Sequence, residues 1–216
     1  MNQEKKQFED GLIFDSKVKE KISDHVSFFL KSLGNHVDKA GTKGTPNRVA
    51  KMYDELLSGY ATDINKLLNN ALFEVKYDEM VVVKDIDFFS LCEHHMLPFH
   101  GTVSVGYLPK DKVIGLSKIP RLVDMFSKRL QVQERMTQEI AHAIDWLISP
   151  KGVGVVVEGK HLCASMRGVK KPNVMMSTSA LLGVFKKNHS SREEFLKHIK
   201  WIYPIKLHLS RVQVKE

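Results

Sequence analysis

Two short stretches carry the residues best suited to chemistry. One is Ser90-Leu91-Cys92-Glu93-His94-His95-Met96-Leu97-Pro98-Phe99, and the other is Glu158-Gly159-Lys160-His161-Leu162-Cys163. The chain has only two cysteines, and each lies within three residues of a histidine. Cys92 and His95 have the Cys-x-x-His spacing that lets one loop present two ligands to a tetrahedral metal. His161 and Cys163, expected at alternate positions of an extended segment, supply more donors. Thiolate and imidazole donors favour zinc over magnesium or calcium, which prefer oxygen. Two cysteines and two or three histidines leave open whether such a zinc is fully enclosed or keeps a free position. That difference separates a structural zinc protein from an enzyme.

The plainer alternatives differ in kind. A lone cysteine is usually a small buried hydrophobe, and a lone histidine a satisfied polar side chain. What favours a metal is that both cysteines fall in such pairs. A Cys92–Cys163 disulfide is the other alternative, and nothing in the chain signals secretion.

The elements that must position these residues belong to a chain of 216 residues, long enough for a substantial core without staples. One domain with terminal extensions is expected. The polar start from Met1 to Asp10 lacks the apolar stretch of a signal peptide. No apolar run reaches the roughly 18 residues of a membrane span, so a cytoplasmic protein is expected. The net charge is +8, and the stretch from Lys186 to Glu216 holds eight Lys/Arg against three acids. Such a balance suits nucleic acid or a polyphosphate substrate equally. No nucleic-acid-binding motif is present, and no aromatics interleave with a basic stripe.

In chain order, Val18, Ile22, Val26, Phe29, Leu30 and Leu33 recur at helical steps, and Gly34 is a suitable stop. After a flexible Gly41–Gly44, Thr45 and Pro46 are expected to cap and open a second helix. It carries Arg48 and Lys51 on one face. A shorter helix spans Ile64 to Leu72. Met80–Phe88 reads as a strand running into the Cys92 loop, and Thr102–Tyr107 as its return. Ser117 is expected to cap a helix whose buried stripe is Ile119, Leu122, Val123, Phe126 and Leu130. Lys118 and Arg121 stand in its first turn, where free N–H groups and the helix dipole favour an anion. A further helix from Gln133 buries Met136, Ile140, Ile144, Leu147 and Ile148. Strands at Val153–Glu158 and Val174–Leu182 and a helix at Ser191–Ile199 complete the order.

Several of these stretches together resemble GTP cyclohydrolase I. They are Thr45-Pro46-Asn47-Arg48-Val49-Ala50, Cys92-Glu93-His94-His95, Gly115-Leu116-Ser117-Lys118, Arg129-Leu130-Gln131-Val132-Gln133-Glu134-Arg135, and His161-Leu162-Cys163 with Met166-Arg167-Gly168-Val169. They recur in the family's order and approximate spacing from about Thr45 to Ile199.

The resemblance implies an α+β chain of the tunnelling fold, whose antiparallel sheet and helices join neighbouring subunits in an oligomeric β-barrel, with an N-terminal helical region. It implies a homodecamer with active sites at subunit interfaces. The implied reaction converts GTP and water to formate and 7,8-dihydroneopterin triphosphate, toward tetrahydrofolate or tetrahydrobiopterin. Cys92, His95 and Cys163 correspond to ligands of Zn2+, leaving His94 and His161 for proton transfer and Ser117 near the sugar. Three protein ligands leave a position for water, whose pKa then falls toward neutrality. The triphosphate cluster maps to Arg48, Lys51, Lys118, Arg121 and Arg167, and guanine recognition to Glu134 with Gln133 beside it. No nucleic acid and no membrane partner is implied.

The division expected is a helical extension at 1–44, a catalytic domain at 45–200 and a tail at 201–216. The tail alternates apolar and polar residues from Trp201 to Val214, as an added strand or a simple extension would. Two rival functions are less well matched. A zinc nucleobase deaminase would carry His-x-Glu and Pro-Cys-x-x-Cys, which are absent. A non-catalytic basic protein with structural zinc would need a fourth ligand and would leave Lys118 and Arg121 unexplained.

Overall fold

The structure is a computed structural model, and it describes residues 13–199. The alternating stretch from Trp201 to Val214 lies outside these residues.

The N-terminal part is helical. Helix α1 (Ser16–Ser32) is capped by Asp15, whose carboxylate accepts from the Val18 N–H at 2.8 Å. A 3₁₀ turn at Gly34–His36 follows. The Gly41–Gly44 stretch expected to be flexible is instead partly taken up by α2 (Lys39–Thr42), because Asp38 caps it through the Ala40 N–H. Helix α3 (Thr45–Leu56) has Gly44 at its cap, so Thr45 lies inside the helix and Pro46 in its first turn. A 3₁₀ turn at Ser58–Tyr60 leads to α4 (Ile64–Leu68). That helix is shorter than expected, because Asn69 turns left-handed at φ 41° and releases the chain into β1 (Leu72–Glu74).

The core is a five-stranded sheet in the order β5-β2-β3-β6-β7. Strand β2 (Val81–Cys92) runs antiparallel to β3 (Pro98–Leu108), and β3 to β6 (Gly152–His161). Strand β7 (Met176–Gly183) closes one side antiparallel to β6, and the short β5 (Leu130–Gln131) pairs with β2 in parallel. A separate ladder joins β1 to β4 (Lys112–Ile114). The β2–β3 register shifts between Val83 and Ile86, where Asp85 adopts φ 57°, a bulge that period-2 reading does not reveal.

Helices α5 (Lys118–Ser127) and α6 (Gln133–Ile148) cover one face. Ile119, Leu122, Val123 and Phe126 of α5 are buried as expected, and so are Met136, Ile140, Ile144 and Ile148 of α6; Leu147 is partly buried. They pack on Phe88, Val103, Val105, Tyr107, Val153, Val155 and Val157. Leu130 does not continue the α5 stripe. The helix ends at Ser127, and Leu130 pairs with Leu91 in the sheet. Ser117 precedes α5 without a side-chain capping bond, in right-handed helical geometry itself.

After the one-turn α7 (Leu162–Ser165), the chain passes through β7 to α8 (Val184–Lys187) and α9 (His189–Ile199). These cover part of the other face. Gly106 and Gly154 are cross-strand partners, and an added Cβ on either would meet the Phe195 ring at 2.5 or 2.7 Å. Two bare backbones thus form the notch that buries Phe195 completely.

Candidate active site

Both chemical stretches arrive at the same end of the sheet because β2, β3 and β6 are consecutive neighbours. Strand β2 delivers Cys92 to a tight loop in which the Cys92 N–H bonds the Leu97 carbonyl at 2.9 Å. Met96 takes φ 53° there, and its N–H returns to the Cys92 carbonyl at 2.7 Å. On the other side of β3, His161 is the last residue of β6, directly opposite Phe99. Cys163 follows in α7. His161 and Cys163 are therefore not alternate positions of one strand, as expected; the chain has turned helical between them.

Cys92, His95 and Cys163 bring their ligand atoms within 4.8 Å of one another. The Cys92 Sγ lies 3.8 Å from Nδ1 of His95. Tetrahedral zinc with bonds of about 2.0–2.3 Å needs ligand atoms roughly 3.3–3.8 Å apart, so the donor set fits such an ion with small closure. Burial pushes the Cys163 thiol above its ordinary pKa, and the neighbouring Cys92 adds to this, while Arg167 opposes it. A cation bound there would displace those protons, as thiolate coordination requires.

His94 also has Nδ1 at 3.8 Å from Cys92 Sγ, but its exposed ring faces Glu93 at 3.9 Å, and it is outside the three-residue group. The loop is braced from below. Glu93 pairs with Arg135, whose guanidinium also donates to the Gln131 side chain at 3.0 Å and the Leu130 carbonyl at 3.2 Å. The Glu93 N–H in turn reaches the Gln131 carbonyl at 3.0 Å. Sequence reasoning passed over Glu93, Arg135 and Gln131, although the run Gln131-Val132-Gln133-Glu134-Arg135 is dense in polar groups just before a buried helix.

The His161 ring stacks on Phe99 with centroids 4.6 Å apart and planes 5° from parallel. Burial lowers its pKa below the usual imidazole value, and the Glu134 carboxylate in the first turn of α6 partly restores it. Glu134 itself is exposed. Gln133, expected beside it facing the base, is instead fully buried, and its Oε1 lies 2.9 Å from His161 Nε2. The helix period explains this, since adjacent positions of α6 point to different sides.

The basic residues come from three parts of the chain, α3, α5 and the bend after α7. Arg48 and Lys51 are exposed on α3, and Arg167 is exposed after α7. Arg121 is exposed and lines a cleft of about 500 Å³ with Ser58, Thr62, Lys66, Asp124 and Lys128. Lys118, expected beside Arg121, is 9% exposed and donates to the Leu67 carbonyl at 2.8 Å. Ser117 is exposed. The described residues hold no helix long and apolar enough to cross a membrane.

Comparison with known proteins adds an independent line. The family model described as GTP cyclohydrolase I matches residues 22–200. A protein of Campylobacter jejuni named GTP cyclohydrolase 1 is 51% identical over 178 residues, covering 82% of this chain and 94% of its own. One of Leptospira biflexa with the same name is 55% identical over 167 residues, covering 77% and 91%. One of Methylococcus capsulatus, again so named, is 53% identical over 170 residues, covering 79% and 92%.

Proposed function

The chain belongs to the GTP cyclohydrolase I family, and on that premise we propose that it converts GTP and water to formate and 7,8-dihydroneopterin triphosphate by opening guanine at C8. The observation that carries the reading is the convergence of Cys92, His95 and Cys163 at the strand end where His161 is held.

Guanine offers N1–H and its 2-amino group side by side, and the Glu134 carboxylate can accept from both. Arg48, Lys51, Arg121 and Arg167 supply charge for the triphosphate, with Arg suited to paired hydrogen bonds on phosphate oxygens. Lys118 would join them by leaving the Leu67 carbonyl. Cys92, His95 and Cys163 would hold zinc, which when bound would lower the pKa of a water that attacks the ring carbon. Three protein ligands are the number found in catalytic zinc sites, where closed structural sites have four. Breaking the imidazole ring of guanine requires protons on its departing nitrogens. His161 and His94 would supply and take up those protons, and Ser117 would assist at the ribose.

The residues from 45 to 200 would form the catalytic domain behind the helical extension at 1–44. The assembly would be a tunnelling-fold homodecamer with sites between subunits. Two features support it. Among the described residues, strand β7 is an edge of the sheet. Met166, Val169, Val174 and Met175, beside the Cys163 turn, are each more than half exposed, as a face awaiting a second subunit would be.

The test is direct. Purified protein is incubated with GTP, the product is oxidised, and pterin fluorescence and formate are measured. Formation of both supports the reading, and consumption of GTP without either would sink it.

A further inference from the structure

We infer that Gln133 is a positioning residue that holds His161 as its Nε2–H tautomer, leaving Nδ1 as the ring atom that exchanges protons with a ligand. The inference rests on the proposed role of His161 in proton transfer and adds how that role is enforced.

The argument follows the hydrogens. The Thr137 hydroxyl lies 2.6 Å from the Gln133 backbone carbonyl, which can only accept, so the Thr137 proton goes there. Thr178 Oγ1 lies 2.7 Å from Thr137 Oγ1. Thr137 has no second proton to give, so Thr178 donates to it. The Thr178 oxygen then accepts from Gln133 Nε2 at 3.1 Å. That same Gln133 atom lies 3.0 Å from the carbonyls of both Val157 and Met176, and carbonyls only accept. Three acceptors around one atom identify it as the amide nitrogen, whatever the ambiguity of amide orientation elsewhere.

The other amide atom is therefore Oε1, and it faces His161 Nε2 at 2.9 Å. An amide oxygen has no proton, so His161 must donate. Gln133 is 0% exposed, so no water competes for these positions. Stacking on Phe99 holds the ring plane. The approach also needs Gly159, which precedes His161 by two residues on β6. A Cβ there would lie 2.5 Å from Oε1. Gln133 thus turns its amide oxygen to His161 and its two protons to the three oxygens around Nε2. Its amide protons are engaged inside the protein and not with a base.

The test uses metal-loaded, full-length protein labelled with 15N-histidine. Solid-state 15N spectra, with His161 assigned by difference against His161→Asn, should show one Nε2–H tautomer. Gln133→Met removes the acceptor at similar volume, and Gly159→Ala displaces it with less change to the core. Each should give a tautomer mixture, with kcat lowered roughly 10-fold or more and KM for GTP changed less than about twofold. Retention of the pure Nε2–H form in both variants overturns the inference. So does a raised KM at unchanged kcat, which would mean that Gln133 binds the base. Full turnover by His161→Ala would instead defeat the proton-transfer reading while leaving the tautomer result intact.

Discussion

The Asp54 carboxylate on α3 receives the Lys19 ammonium of α1 at 2.7 Å while only 3% exposed itself. It also accepts from the backbone N–H groups of Ile13 and Phe14, each at 2.9 Å. One buried acid therefore fastens both the entry to α1 and its first turns.

Burial alone would raise the Asp54 pKa, but the bonds from Lys19, Phe14 and Ile13 outweigh it and hold the carboxyl below its ordinary value. A lowered folded pKa contributes stability that is present above the unfolded value and lost as pH falls through the folded one. The melting temperature is expected to drop as pH falls below about 4, the ordinary Asp range. Asp54→Asn should melt lower at neutral pH and lose part of that acid dependence. At about 1.5–3 kcal/mol for hydrogen bonds to a charged group, the neutral-pH loss is measurable by thermal denaturation. An unchanged pH profile would contradict the assignment.

For the metal centre, the expected outcome is one zinc per chain in protein purified without chelator. Cys163→Ser should lose most of that metal and the turnover with it. His94→Ala and His161→Ala should keep near-normal zinc while losing roughly 10²-fold or more in turnover, the scale of acid–base groups. Metal analysis decides the boundary: zinc loss in the His161 variant would make it a ligand, and zinc retained in the Cys163 variant would remove that residue from the set.

Arg121 and Arg167 are exposed on different elements, so charge removal at either should leave the fold intact. Arg121→Ala and Arg167→Ala are expected to weaken GTP binding, with a smaller loss for GMP, which lacks the outer phosphates. Equal losses for the two nucleotides, measured by calorimetry, would place these side chains elsewhere.

Glu134 separates base recognition from helix stabilisation. As a charge at the start of α6 it is worth about 0.3–1 kcal/mol through the dipole. As the acceptor for guanine N1–H and the 2-amino group it does more, because adenine has an acceptor at N1 and no 2-amino group and would make neither bond. Glu134→Ala should thus impair GTP turnover far beyond its small effect on melting. A variant that kept turnover and the preference for GTP over ATP would be reporting only a helix charge.

Local chemistry made much of this protein legible from its residues alone. The 3.6-residue stripe of Met136, Ile140 and Ile144 forecast α6, and the valine-rich run after Gly152 forecast β6, because burial of one face imposes its period on the sequence. The two Cys-His pairs pointed to a group that could hold a metal, and Cys92, His95 and Cys163 do bring their ligand atoms together. Partners distant in sequence left no such period. Leu130 reads as a fifth member of a helical stripe, yet a strand partner at Leu91 takes it into the sheet. Lys118 reads as an anion ligand, yet the Leu67 carbonyl, 51 residues earlier, draws it inward. Gln133 reads as a neighbour of Glu134 with the same task. Only the arrival of Val157, Met176, Thr178 and His161 around its amide decides which end of that group points where, since a hydrogen-bond direction is set by the atoms opposite it and not by the residue's place in the chain.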